Sequence, residues 1–471
     1  MSIFNQKKEI LEHIKMHESE VGFNETLFEI LEGDLLSHVA ASLKDQLSEN
    51  SYKSAMERVA PINLFKKTND KISTLYVEDP TRKTELPSDQ ELIDEYTAES
   101  SINTFMEDLN KAYNAYKWSV IELYEDNGLE LRVLPSHQFL PYGNDSKNPL
   151  KVSAIIKFMG DMTKKPDNRI RSKTVKRYWV YTADEFMSID SDGELIEEDM
   201  IENEGINPFG VLPFVFVSKS RYLLVPKPDK DDLKMAILFP VLLTDLNFAA
   251  KFLAHSIFYG IDIDSDNLKL SPDSVWIFKS DEDGKKPEIG TIKPEVSIQD
   301  VLLLAKEQIA SWLDTKNVKV GNVGQMNASS ASSGISKIID ESDTSRERKR
   351  QEKFFKKVEL ELWRVLASMH NSLVAAKRIT NMKTFSDPDN LVVNITYVDQ
   401  KPMQSRKDKI EELKLEVDAR FKSRSTAIKQ LNPNMSEDEI EEELALIDNE
   451  NTLYMPEITD EQMDDEEDSA I

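Results

Sequence analysis

The sequence predicts an α+β protein from three observations. Two long apolar helical runs, 230–258 and 296–316, flank a short strand-and-turn stretch. Between residues 129 and 218, apolar or alternating runs are separated by Gly, Asn, Asp and Pro, which is a strand pattern. Around these lie charged segments whose apolar residues recur at spacings of three and four, the helical period.

From Lys7 to Leu47 the pattern is helical. After Pro61, INLFKKTNDKISTLYVEDP mixes helical spacing with a strand-like end at Leu75 to Val77, and Asp79 to Asp89 reads as a polar linker. A helix is expected from Asp89 to Lys117, with Phe105, Leu109, Ala112, Tyr113 and Tyr116 on one stripe. The runs LELRVLPSHQFLPYG, KVSAIIKFMGD, TVKRYWVYTADEFMSI and VLPFVFVSK then make a mainly β region. Charged loops interrupt it at 163–171 and 190–203.

After Pro226 one long helix is expected, started by Asp231 and Asp232 and ended by Gly260. At ~1.5 Å per residue it would span roughly 40 Å, with Pro240 kinking or breaking it. The stretch 259–295 is a small strand module with a tight turn at Asp281 to Gly284. A second apolar helix over 296–316 follows, then NVKVGNVGQMNASSASSG at 317–334, which has no apolar period and reads as a mobile loop. A third helix runs from Ile335 to about Ile379; its charged first half and apolar second half require different surroundings. The strand LVVNITYV completes 335–400. Charged helices fill 401–455, with a capping box at Ser436 and Glu439 and a break at Asn432 and Pro433. The acid-rich end, 456–471, reads as disordered.

The absence of cysteine excludes a disulfide scaffold, a thiolate zinc site and a cysteine nucleophile. The N-terminal stretch is charged throughout, unlike a signal peptide, and no apolar run approaches the ~20 residues of a membrane span. A net charge of -27 argues against tight binding of DNA over the whole surface, so any contact with DNA is local.

No phosphate-binding loop of the GxxxxGK[ST] type occurs, and no cofactor is expected. His13 and His17 have a metal-binding spacing but lack the glutamate of the zincin motif, and are expected to face solvent. Asp262, Asp264 and Asp266 would be the acids of a magnesium-dependent nuclease, though a solvated loop explains them more simply. The basic run Arg346, Arg348, Lys349, Arg350, Lys353, Lys356 and Lys357 is interleaved with acids, so pairing along the helix or between subunits is expected. Lys279, Lys285 and Lys286 beside Asp281 and Asp283 read as a surface for docking protein.

The order of these segments resembles the portal protein of tailed bacteriophages, the head-to-tail connector at one capsid vertex, over nearly the whole chain. MERVAPINLFKKTNDKISTLYVEDP, EDNGLELRVLPSHQFLPYGND, and INPFGVLPFVFV with Asn207, Gly210 and Pro213 are similar to the family's segments before its stem. SSGISK, with Ser333, Gly334 and Ile335, resembles the start of the family's long wing helix. TAIKQLNPNMSEDEIEEELALIDNEN corresponds to its crown.

The resemblance implies a wing over 1–229, stem helices at 230–258 and 296–316, a clip at 259–295, and a tunnel loop at 317–334. It further implies that 335–400 returns to the wing and that 401–455 is the crown. Lys316, Asn317, Lys319, Asn322, Gln325 and Asn327 would then line a DNA channel, and the clip charges would dock partners. The implied assembly is a homo-oligomeric ring of about twelve subunits in the virion, made in the host cytoplasm. Implied partners are the terminase large subunit, the major capsid protein, head-tail adaptor or tail proteins, a scaffold protein where one exists, and double-stranded DNA. Enzymatic activity and membrane contact are not expected. A smaller head-to-tail adaptor is the alternative, although adaptors lack the succession of stem, loop and long helix.

Overall fold

A computed structural model describes residues 2–99, 101–126, 128–143, 148, 150–164, 173–201, 204–254, 257–261, 288–292, 298–318, 334–379, 381–398, 406–432 and 435–453. The fold is mixed α+β, and the chain divides into two compact units. The larger comprises 1–331 and 339–398; the smaller comprises 332–338 and 399–471.

The larger unit opens with helices α1 (Lys7–Met16), α2 (Glu18–Glu32), α3 (Leu35–Gln46), α4 (Glu49–Met56) and α5 (Leu64–Ile72). Strand β1 (Thr81–Lys83) precedes α6 (Pro87–Glu99) and α7 (Ile102–Tyr116). The β region holds β2 (Trp118–Glu125), β3 (Leu129–Leu134), β4 (Phe139–Tyr142), β5 (Ala154–Lys164), β6 (Lys173–Tyr181), β7 (Phe186–Asp190) and β8 (Phe214–Ser218). Then come α8 (Lys230–Ala254), β9 (Ile257–Ile261), β10 (Glu288–Ile292), α9 (Ile298–Thr315), α10 (Gly334–Ala375, of which 334–338 count with the smaller unit) and β11 (Asn394–Thr396). The smaller unit contains α11 (Arg406–Asp418), α12 (Arg424–Leu431) and α13 (Glu437–Leu453). The expected capping box is present in it: Ser436 N–H donates to Glu439 Oε2 at 2.8 Å, and Glu439 N–H to Ser436 Oγ at 3.3 Å.

The antiparallel sheet β3-β2-β8 divides the larger unit's core, because successive side chains on a strand point to opposite faces. Ile121, Leu123, Val215 and Val217 enter a core with α6, α7 and the apolar half of α10. Trp118, Val120 and Phe214 enter another with α1 and the sheet β4-β5-β6-β7. A third core joins α2, α3, α5 and the end of α7 to α8 and α9. The two halves of α10 share surroundings where they join: Phe355 and Val358 of the charged half lie in the first core with Leu362, Trp363, Leu366 and Leu373 of the apolar half, and buried Gln351 accepts from Asn110 of α7 at 2.8 Å. In its charged half, Arg348 pairs with Glu352 and Arg350 with Glu347, as the interleaving predicts.

Several expectations need correction. Leu75 to Val77 form a turn, with Leu75 and Tyr76 buried as core side chains without a strand partner. The strand lies instead in the supposed linker, where β1 pairs antiparallel with β11 and Arg82 points inward. The helix expected from Asp89 is two helices, separated beside Ser101, whose φ of 52° is left-handed. Helix α8 continues unbroken across Pro240; Gly260, expected as its terminator, is a strand residue that pairs with Ile289 in the β9-β10 ladder.

Candidate functional site

The start of α8 and the end of α9 meet just before residue 317, the first residue of the Gly/Ser/Asn-rich segment singled out in the sequence. A helix N-terminus favours acids and a C-terminus favours bases, and each terminus supplies the expected type. Asp232, buried in the first turn of α8, accepts from Trp312 Nε1 at 3.1 Å and lies 2.7 Å from Lys316 Nζ. Asp229 Oδ2 lies 3.3 Å from Lys316 Nζ and 3.3 Å from Lys117 Nζ. Partial burial would raise the Asp229 carboxyl's proton affinity, but Lys316 and Lys117 outweigh it and hold the group below the usual carboxylate range. The two long helices are thus clasped by an ionised cluster resting on Trp312 and Leu313 in the third core.

Asn317 closes α9. Its φ of 57° is left-handed, a conformation asparagine tolerates better than most residues. Its N–H donates to Asp314 O at 3.0 Å, the Val318 N–H donates to Leu313 O at 3.0 Å, and Val318 and Leu313 are buried in one core. This is the Schellman arrangement with its hydrophobic contact. Asn317→Val should therefore destabilise the protein by about 1–2 kcal/mol while Asn317→Gly does not. Thermal unfolding of the two variants checks this; equal losses would show that the left-handed backbone is not what limits the position.

Of the residues expected to line a channel, Lys316 and Asn317 belong to this clasp and cap. Lys319, Asn322, Gln325 and Asn327 lie outside the described residues. So do Lys279, Asp281, Asp283, Lys285 and Lys286, the acids Asp262, Asp264 and Asp266, and the tail 456–471. The sequence marks Asp232 as a helix-start acid, and the resemblance implies Lys316 only as a channel-lining residue; neither points to Trp312, Asp229 and Lys117 as their partners. Lys316 and Asp232 are 84 residues apart, and no local period connects them.

His13 and His17 do not simply face solvent. Their rings are 4.7 Å apart, and His13 Nε2 lies 2.9 Å from Pro141 O, so it carries the proton. Burial lowers the proton affinity of both rings. His370 is a structural link between Tyr96 Oη, 2.7 Å from Nδ1, and Lys383 O, 2.8 Å from Nε2. Among the described residues no group of three or more His, Asp or Glu is placed to hold a metal, and no helix is long and apolar enough to cross a membrane.

No protein-family model matches the sequence, and a comparison with curated proteins finds no match.

Proposed function

We propose that the chain is the subunit of a portal ring, a passive channel for packaging and ejecting a viral genome at one capsid vertex. The observation that carries this reading is the succession of elements: long helix α8, the antiparallel pair β9 and β10, long helix α9, then the 42-residue helix α10. That is the order in which the portal family sets stem, clip, stem and wing helix. In the proposed ring the clasp at Asp229, Asp232 and Lys316 holds each subunit's two stem helices together.

A terminase large subunit would supply the ATP hydrolysis, and the major capsid protein, adaptor or tail proteins and a scaffold would dock outside the channel. The reading puts the protein in the virion after synthesis in the host cytoplasm, with double-stranded DNA passing through and no chemistry of its own. Purified chain is expected to sediment as a closed ring of about twelve copies, with a central hole in negative stain. Only monomer and dimer at micromolar concentration and moderate salt would sink the reading.

A further inference from the structure

The chain between β8 and α8 departs in charge from the rest of the protein. Residues 219–230 carry Lys219, Arg221, Lys227 and Lys230 and a single acid, Asp229, in a protein whose net charge is -27. That acid is already engaged by Lys117 and Lys316. Lys219, Arg221, Lys227 and Lys230 are all exposed, and none forms an ion pair among the described residues.

Lys219 is tied by its backbone N–H to Lys117 O at 2.8 Å, and its ammonium lies 5.0 Å from the centre of the Tyr113 ring. Although exposed, it sits in a crowded neighbourhood: the surrounding protein, then the like charges of Lys316 and Lys117, lower its proton affinity. The nearby acid Glu347 is itself engaged by Arg350. Tyr222 stands among these cations 89% exposed, more than any other large hydrophobic side chain among the described residues. Its backbone is held, because Ser220 Oγ accepts the N–H groups of Tyr222 at 3.2 Å and Leu223 at 2.9 Å.

We infer that the strip Lys219, Arg221, Tyr222, Lys227 and Lys230 is a contact site for the phosphodiester backbone of nucleic acid, separate from the loop at 317–334. The segment is buried at Val225 and Pro226 and the Lys219 ammonium also donates to Asn114 O at 3.5 Å, but its exposed cations have no acidic ion-pair partner among the described residues. Such cations suit a row of phosphates, and an exposed aromatic hydroxyl among them can donate to a phosphate oxygen. The acidic surface elsewhere repels DNA, so the strip would also set where the backbone comes close. This deepens the portal reading and rests on it only for duplex DNA as the natural source of the phosphates.

The test is binding of a short fluorescent duplex to the full-length protein at low salt, with sedimentation of the same samples. Arg221→Gln with Lys227→Gln, at exposed positions without ion pairs, should weaken binding at least ~10-fold and reduce the salt slope by about 2. Lys356→Gln with Lys357→Gln on α10 should change neither. Unchanged duplex affinity in the first variant, or no binding by the wild-type protein, overturns the inference even if rings form. Loss of rings in that variant, with the duplex affinity of the wild type, also overturns it and makes the strip a seam between copies. Loss of affinity in a protein that never forms rings supports the contact site and removes the portal reading.

Discussion

Glu359→Ala is expected to destabilise the protein by about 3–5 kcal/mol, a large part of the ~5–15 kcal/mol that holds a typical domain folded. The Arg82 and Glu359 side chains are 2% and 0% exposed, and they meet twice, Nε to Oε2 at 2.9 Å and Nη2 to Oε1 at 3.1 Å. Arg82 Nη1 donates to Asn103 Oδ1 at 2.7 Å, so the guanidinium is bound on three sides. Beside the carboxylate, the buried hydroxyls of Tyr76 and Tyr397 are 2.8 Å apart. Burial and the Glu359 charge both push them far toward the neutral form. Removing Glu359 leaves a guanidinium without a counter-ion where water cannot replace it, and that desolvation dominates the loss. Replacing both partners, Arg82→Met with Glu359→Leu, should restore much of it, because the unpaired charge is gone. Denaturant unfolding of the three variants decides the matter. If Glu359→Ala falls within ~0.5 kcal/mol of wild type, the pair does not hold β1 and β11 to α10.

This pair also shows what a sequence conceals. The alternation of LVVNITYV is legible directly: Leu391, Val393, Ile395 and Tyr397 are buried, while Val392, Asn394, Thr396 and Val398 are exposed. Its partner strand Thr81–Lys83 is three polar residues in a segment that resembles a linker, and only the distant Glu359 gives Arg82 a reason to turn inward. The same holds at the candidate site. The apolar periods of α8 and α9 mark two long helices, and Asp232 is recognisable as a helix-start acid. The clasp itself depends on Lys117, Asp229, Trp312 and Lys316 coming together from separate parts of the chain. Hydrophobic period is a local property and can be read from neighbours, whereas a charge pair is defined by a partner that the fold must first bring near. The strip at Lys219 to Lys230 lay in plain composition, but its exposure and lack of ion pairs appear only once the fold is known.

If the chain forms the proposed ring, Leu303→Glu combined with Leu304→Glu should abolish its assembly while leaving the subunit folded. The inward faces of α8 and α9 carry Ala236, Val241, Trp312 and Leu313, which are buried in the third core. Their outward positions include Leu238, Leu303 and Leu304, which remain 48%, 57% and 55% exposed in the single chain. Completing the burial of a half-exposed leucine is worth about 1 kcal/mol, since a fully buried one is worth about 1.5–3 kcal/mol. In a ring that gain recurs at every seam, so a face that is only a modest liability in the monomer becomes a strong bias in the assembly. Glutamate at both positions removes the gain and adds charges that a dry seam cannot solvate. In the isolated subunit the same substitutions face water and should shift unfolding by no more than ~0.5 kcal/mol each. The measurement is sedimentation beside thermal unfolding of one preparation. A small, well-folded species is the expected result. Rings indistinguishable from wild type would show that this face of α9 is not the seam and that α8 and α9 act as a hairpin within a single subunit.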